Sequence, residues 1–544
     1  MVFWSVVIAL SGCKGRDPFV PADSGDTSTV VTEDPITCAD PGAREADGPL
    51  QRQDVSALVD MYTDTSGGVP PAAGSGLAVA DLNGDGLLDI LLPQFGSDQI
   101  LVQAADGSFS DQTDALWPDR PDVATIALNT VDIDGDGDDD VFACHEAHSN
   151  ALYLNDGTGR LTDASAAWGV DNQMRSCFNA AFGDIDGDGD LDLALANNDP
   201  CESLKGKGGE DCSSIKALPS AEVLWENTGD RFVDATDRLS QDEMRASMMS
   251  VISLVDLNRD GHLDLFVTND DRMEVTFSTH NVAYLNDGTG QFTDVSDDTG
   301  LAISMEGMGA GFGDLNGDGL VDMLVTGFRD VALLLSSETW WYDADESLGM
   351  VPTEPSRWFA WGAELADLDN DGDLDAPVVF GWLPPSEEEE NPLAQADALY
   401  LNRGDSFAQV AEDWGWADPG YARGVAVVDI NGDGWLDLLK RELGGPLLVD
   451  LARCGAESWL TVQLSQGGAN RDAVGAMVTV EVDGEEQRRW VWRGGTSYAV
   501  AVPPRVHFGL GGAEQIDNVT VRWPSGETEA YGPQAARQHL TLSR

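Results

Sequence analysis

The residues best placed to do chemistry are aspartates at a fixed spacing. One nine-residue pattern, D-x-[DN]-x-D-G-x-x-D, occurs seven times, starting at Asp81, Asp132, Asp184, Asp256, Asp314, Asp367 and Asp429. Oxygens at positions one, three, five and nine, with the backbone carbonyl of position seven, can converge on one hard cation. Calcium takes six to eight oxygens at roughly 2.3–2.6 Å. Gly at position six permits the tight wrap this needs. The predicted ligands in the first string are Asp81, Asn83, Asp85, Leu87 and Asp89. In the second they are Asp132, Asp134, Asp136, Asp138 and Asp140, and in the third Asp184, Asp186, Asp188, Asp190 and Asp192. The fourth supplies Asp256, Asn258, Asp260, His262 and Asp264, and the fifth Asp314, Asn316, Asp318, Leu320 and Asp322. The sixth supplies Asp367, Asp369, Asp371, Asp373 and Asp375, and the seventh Asp429, Asn431, Asp433, Trp435 and Asp437. Position seven varies freely because only its carbonyl is asked for. These strings hold 28 of the 96 acidic residues. Without a cation their carboxylates repel one another, so about one structural calcium per repeat is expected to stabilise the fold directly.

Other constellations are weaker. His145-Glu146-Ala147-His148 falls one residue short of the H-E-x-x-H zinc spacing. No G-x-S-x-G, P-loop or strand–helix G-x-G-x-x-G is present. With 96 acidic against 30 basic residues and a net charge of −66, paired carboxylates say nothing about acid–base catalysis. The same charge repels nucleic acid and anionic lipid. No catalytic residue and no cofactor other than calcium is expected. Arg403-Gly404-Asp405 spells an integrin-recognition tripeptide, but it occupies a predicted hairpin and reads as a turn.

The flanks of each string are strand-like, as in GLAVADL before the first and LDILLP after it. An EF-hand would instead place helices there and Glu at position twelve. YLNDGTGRLTDAS at 153 and YLNDGTGQFTDVS at 284 read as strand, Asn/Asp-Gly hairpin, strand, with looser copies at 224 and 400. Each repeat is then four antiparallel strands. The strings follow one another at 51, 52, 72, 58, 53 and 62 residues, the size of a propeller blade. The fold class is all-β: a seven-bladed β-propeller over residues 51–453. Gln53-Asp54-Val55-Ser56 aligns with Thr293-Asp294-Val295-Ser296, so a strand near 52–60 is expected to complete the seventh blade. Blade five lacks the Gly hairpin. Two insertions, 199–220 and 384–390, are candidate specificity elements. From residue 75 to about 450 the repeats resemble the FG-GAP or VCBS repeats of integrin alpha-subunit propellers. That resemblance implies structural calcium on one face and ligand engagement elsewhere.

Residues 456–544 alternate as short strands and predict a small β-sandwich-like domain. Asn470-Arg471-Asp472 with Val474-Gly475-Ala476, His507-Phe508-Gly509-Leu510-Gly511 and Val521-Arg522-Trp523-Pro524-Ser525-Gly526 carry a resemblance to the ASPIC/UnbV domain. That domain follows such propellers in cartilage acidic protein and many bacterial relatives. Arg471, Asp472 and His507 could line a site, although roles in turns and strand ends are the simpler reading.

Residues 1–13 read as a lipoprotein signal peptide. A short apolar run ends in Leu10-Ser11-Gly12-Cys13, which resembles the bacterial lipobox with Cys13 as the lipidated residue, although no Lys or Arg precedes the run. The polar composition of 14–50 predicts a flexible linker. Six further cysteines suit an exported chain. Cys201 with Cys212 is the leading disulfide candidate, ahead of Cys144 with Cys177 and Cys38 with Cys454. The function expected is an exported, calcium-binding adhesion or scaffold lipoprotein at the bacterial outer membrane or cell surface. It would be a monomer with a protein or polysaccharide ligand, no nucleic acid partner, and membrane contact only through the anchor. The alternative is a polysaccharide lyase or hydrolase built on a propeller.

Overall fold

The structure, a computed structural model, describes residues 29–32, 38, 40, 42–59, 76–146, 148–170, 176–198, 222–240, 248–270, 280–337, 339–350, 358–382 and 394–544. Each Asp-rich string joins the first and second strands of an antiparallel sheet, and seven such sheets follow one another along the chain. Their first strands are Leu77–Ala80, Val123–Val131, Ser176–Gly183, Met248–Val255, Gly307–Gly313, Ala360–Ala363 and Ala422–Val428. Each lies against the first strand of the next sheet, and the last lies against the first, so the sheets form a closed propeller.

Packing explains the sequence pattern. Second strands such as Asp140–His145 and Asp264–Asp270 are buried at every position, because neighbouring sheets cover both faces. They read as continuous apolar runs rather than as alternation. Fourth strands are short, as in Phe109–Asp111, Leu161–Asp163 and Phe232–Asp234, and each buries only its first residue. A short, acidic outer strand is a poor template for pairing with another chain.

Leu50–Gln53 pairs antiparallel with Leu447–Ala452 and supplies the fourth strand of the seventh sheet. The strand lies slightly before the expected 52–60. Asp54 accepts the Ser56 amide and hydroxyl just as Asp294 accepts those of Ser296, so the aligned residues make the same turn. Across the closure, Gln103 Nε2 donates to Ile430 O at 3.1 Å. Between sheets six and seven, the fully buried Lys440 and Asp397 form an ion pair. Arg403 to Ser406 form a hairpin turn, as the repeat register predicts, with Gly404 at φ 83°.

The flexible-linker expectation for 14–50 needs correction where that segment is described. Thr29–Thr32 pairs with Gln538–Ser543 at the edge of the C-terminal domain. Cys38 is disulfide-bonded to Cys454. Gly42–Asp47 is helical, and the Arg44 guanidinium lies 5.0 Å from the Trp414 ring and 4.4 Å from the Trp435 ring. A segment poor in apolar residues is held here by partners elsewhere: an open strand edge, a cysteine and two indoles. The second disulfide, Cys144–Cys177, joins sheets two and three. Cys13, Cys201, Cys212 and the 199–220 and 384–390 insertions lie outside the described residues.

The C-terminal domain packs two four-stranded sheets over a core that includes Leu460, Val478, Phe508 and Trp523. One sheet holds Ser458–Ser465, Arg505–Gly511 and Gln538–Ser543 with the N-terminal strand Thr29–Thr32. The other is built on Met477–Val482, Glu485–Trp490, Asn518–Arg522 and Thr528–Ala530.

Candidate metal centres and their cap

All seven strings share one local geometry. The position-six glycines have φ between 82° and 108°. Position four is left-handed as well: Gly in five strings, Arg259 at 62° in the fourth and Asn370 at 59° in the sixth. This second left-handed position went unread in the sequence, because two of the seven strings hide it behind a non-glycine. In every string the position-six N–H donates to Oδ2 of the position-one aspartate at 2.8–3.1 Å. The position-seven N–H donates to Oδ1 of the position-five aspartate at 2.9–3.2 Å.

These bonds leave carboxylate oxygens over. Asp132, Asp256, Asp314 and Asp367 are at most 7% exposed, yet the Oδ1 of each has no hydrogen-bond partner. Leaving a buried acceptor unsatisfied costs about 1–3 kcal/mol. In three strings the acids also crowd: Asp132, Asp134 and Asp136; Asp184, Asp186 and Asp192; Asp367, Asp369 and Asp371 each bring ligand atoms within 4.8 Å of one another. Burial pushes Asp132, Asp367 and Asp429 up to about 7. Crowded oxygen donors, one of each cluster buried and the rest at least partly open to solvent, fit a hard, oxygen-ligated cation, and these acidic clusters could hold a metal ion.

Position nine has a further duty that the spacing did not disclose. In six strings this aspartate accepts the N–H of position two on Oδ2 and an N–H of the third strand on Oδ1; for Asp264 the donors are Leu257 at 2.9 Å and Asn286 at 2.8 Å. The position-nine aspartates are buried in all seven strings, and burial pushes Asp140, Asp192 and Asp264 up to about 8. The third-strand asparagines then stitch sheet to sheet. Asn155 Nδ2 donates to Leu82 O, and Asn286 Nδ2 donates to Ile185 O, each in the preceding sheet's string. The recurring Tyr-Leu-Asn in the sequence was the available signal, and reading it only as a hairpin missed this role.

The C-terminal domain lies over the strings. The Asn470 N–H donates to Gly189 O at 3.1 Å, and Arg471 donates to Gly135 O and Asp136 O at 3.4 Å. Arg522 donates to Asp260 O at 3.0 Å and lies 3.4 Å from Asp256 Oδ2. His507 Nε2 is 2.7 Å from Asn370 Oδ1, and the Gly511 N–H donates to Asn370 O at 2.8 Å. Asp472 pairs with the buried Arg493, which also pairs with Asp139. Arg471 and His507 therefore make interdomain contacts, and Asp472 pairs with the arginine that reaches across to Asp139. From Arg493 onward the chain enters the propeller's central channel and meets the first strands of all seven sheets. Gly494 pairs with Ala181, and Ser253 Oγ donates to Gly495 O. The Ser497 N–H donates to Ala310 O and its Oγ to Val425 O. The Tyr498 ring packs edge-on against Trp361 at 5.0 Å, and the Leu77 N–H donates to Ala499 O at 3.1 Å.

Residues 81–143, 132–195, 256–325 and 391–439 match the FG-GAP-like repeat, and residues 466–544 match the ASPIC and UnbV family. The chain is an FG-GAP-like propeller with an ASPIC and UnbV domain. The string at Asp367 falls outside the matched segments yet keeps the geometry of the other six. The FG-GAP-like chain is homologous to cartilage acidic protein 1. It is 26% identical to the Xenopus tropicalis protein over 258 residues, covering 45% of this chain and 38% of that protein. To the Mus musculus protein it is 27% identical over 259 residues, with the same coverage. The match thus spans 38% of the length of these relatives. A solved Agrocybe aegerita lectin structure, described by its specific recognition of non-reducing terminal N-acetylglucosamine, aligns over 70% of this chain and 94% of that one, at 18% identity and a TM-score of 0.40.

Proposed function

We propose that this FG-GAP-like chain is an exported, calcium-loaded propeller that binds a protein or polysaccharide through its uncapped face. It serves as an adhesion or scaffold module and is held as a monomer by a lipid on Cys13 at a bacterial outer membrane or cell surface. FG-GAP propellers are generally binding and adhesion modules, and two disulfides suit an exported chain. Calcium is the cation that best fits donor sets made of carboxylates, amides and carbonyls.

The observation that carries the reading is the division of the two faces. The strings join first to second strands, and the C-terminal domain covers that face. Both insertions join second to third strands: Asp192–Asn198 to Glu222–Asn227, and Ala376–Phe380 to Ala398–Asn402. Successive connections of an antiparallel meander leave by opposite ends, so the insertions depart from the face the cap leaves free. Variable connections on a rigid scaffold are where specificity is built. The channel, where an enzymatic reading would seek reactive groups, is filled by residues of the 493–501 segment. That observation favours the binding module over the polysaccharide-active enzyme.

A screen of glycans and surface proteins, run with the full chain in calcium, tests this. The expected result is a ligand whose affinity falls at least tenfold when the 384–390 or 199–220 insertion is shortened. A ligand indifferent to both changes places recognition elsewhere and rejects the face assignment.

A further inference from the structure

We infer that the C-terminal domain is a cation-dependent cap, whose docking partner is the metal-loaded face of its own propeller. The inference rests on the calcium reading above and goes beyond it by assigning the C-terminal domain its recognition surface. The cap's donors seek backbone carbonyls of the strings at positions four, five and six: Gly135 and Asp136 for Arg471, Gly189 for the Asn470 amide, Asp260 for Arg522 and Asn370 for the Gly511 amide. Those carbonyls are aimed by the left-handed backbone at positions four and six. A central cation holds that wrap closed against the mutual repulsion of the acids. Without it the orphaned Oδ1 atoms of Asp132, Asp256, Asp314 and Asp367 have no compensating partner, and the wrap loosens.

The fit is close enough to report such a change. A Cβ on Gly509 would lie 2.0 Å from Asp367 Oδ2, and one on Gly261 would lie 2.0 Å from Arg522 Nη2. The residues that make these contacts, Asn470, Arg471, His507, Gly509, Gly511 and Arg522, belong to the segments that carry the ASPIC and UnbV resemblance. The motif is therefore a surface that reads the string conformation. Docking also carries the 493–501 segment into the channel, so cation binding, capping and channel closure form one linked equilibrium. Linkage is reciprocal: a change that unseats the cap weakens cation binding by the same factor.

Gly495 separates the partners of this linkage. It has φ 76° and lies 58 residues beyond the last string ligand, Asp437, and a Cβ there would meet Ile252 O at 2.7 Å and Ala181 Cβ at 2.9 Å, on first strands rather than in the strings themselves. Gly495→Val in the full-length protein is expected to lift the channel segment and lower calcium affinity, measured by calorimetry, at least fivefold. In the unmodified protein, hydrogen exchange of the Ser497 amide should accelerate at least tenfold on chelation, while amides of Asp264–Asp270 stay protected. Wild-type calcium affinity in a Gly495→Val protein whose segment exchanges rapidly would overturn the linkage. Unchanged Ser497 protection after chelation, in a chain that calorimetry shows to bind calcium, overturns it too and decides the matter if the variant does not fold. A chain that binds no calcium fails the calcium reading itself, a distinct result.

Discussion

At the scale of single residues, the position-nine aspartates do the most structural work. Asp264 is fully buried and accepts two backbone amides, one from its own string and one from the third strand. Asp264→Ala strands both donors, and at about 1–3 kcal/mol for each unsatisfied group the loss should be roughly 2–6 kcal/mol in urea unfolding. Protonation gives a second prediction. Burial raises Asp140, Asp192 and Asp264 to about 8, above the usual carboxylate range near 4 in an unfolded chain. A raised folded pKa gives stability that is full below pH 4 and is lost as pH climbs towards 8. Melting in a chelator should therefore fall between pH 5 and pH 8. In excess calcium, which takes only the deprotonated strings, melting should rise over the same interval. Parallel curves with and without calcium would contradict the metal assignment.

At the scale of elements, the sequence was most legible where one chemical demand repeats. The strings, their strand flanks and the hairpins all announce themselves, because Asp, Gly and Asn-Gly each answer a local geometric need. What was not legible is longer in range. Nothing local in Thr29–Thr32 says that it will pair with Gln538–Ser543, and nothing in Asn286 says that it will reach Ile185 O in the preceding sheet. Arg471 and His507 were visible as motif residues, but their partners Gly135 and Asn370 lie over a hundred positions away and carry no mark of the contact. The Leu50–Gln53 strand is the intermediate case, found by alignment and misplaced by a few residues. Deleting 50–53 should expose the Leu447–Ala452 edge, and light scattering should then show more self-association than for the intact chain.

At the scale of the whole molecule, the two faces differ in what they can meet. One carries the strings under the cap, and at the other lie the ends of the strands that flank 199–220 and 384–390. The N-terminal strand lies on the cap's sheet, and only residues 14–28 separate it from Cys13. Fully extended, such a stretch reaches about 50 Å. A lipid on Cys13 would tether the protein to the membrane from its capped side. Cys13→Ser should move the protein from the membrane fraction to the soluble fraction, and continued sedimentation with membranes would refute the anchor.

The strand at Leu50–Gln53 also dictates the order of biosynthesis. Its partner, Leu447–Ala452, leaves the ribosome some four hundred residues later, so the ring cannot shut until all seven strings have emerged. The cysteines tell the same story: Cys38 must wait for Cys454, across a separation of 416 residues, while Cys144 and Cys177 pass by first. A cell that oxidised thiols in order of appearance would join the wrong pair. Maturation of this propeller therefore calls for a shuffling thiol–disulfide catalyst rather than a simple oxidant, and the native Cys38–Cys454 bond should be among the last to form.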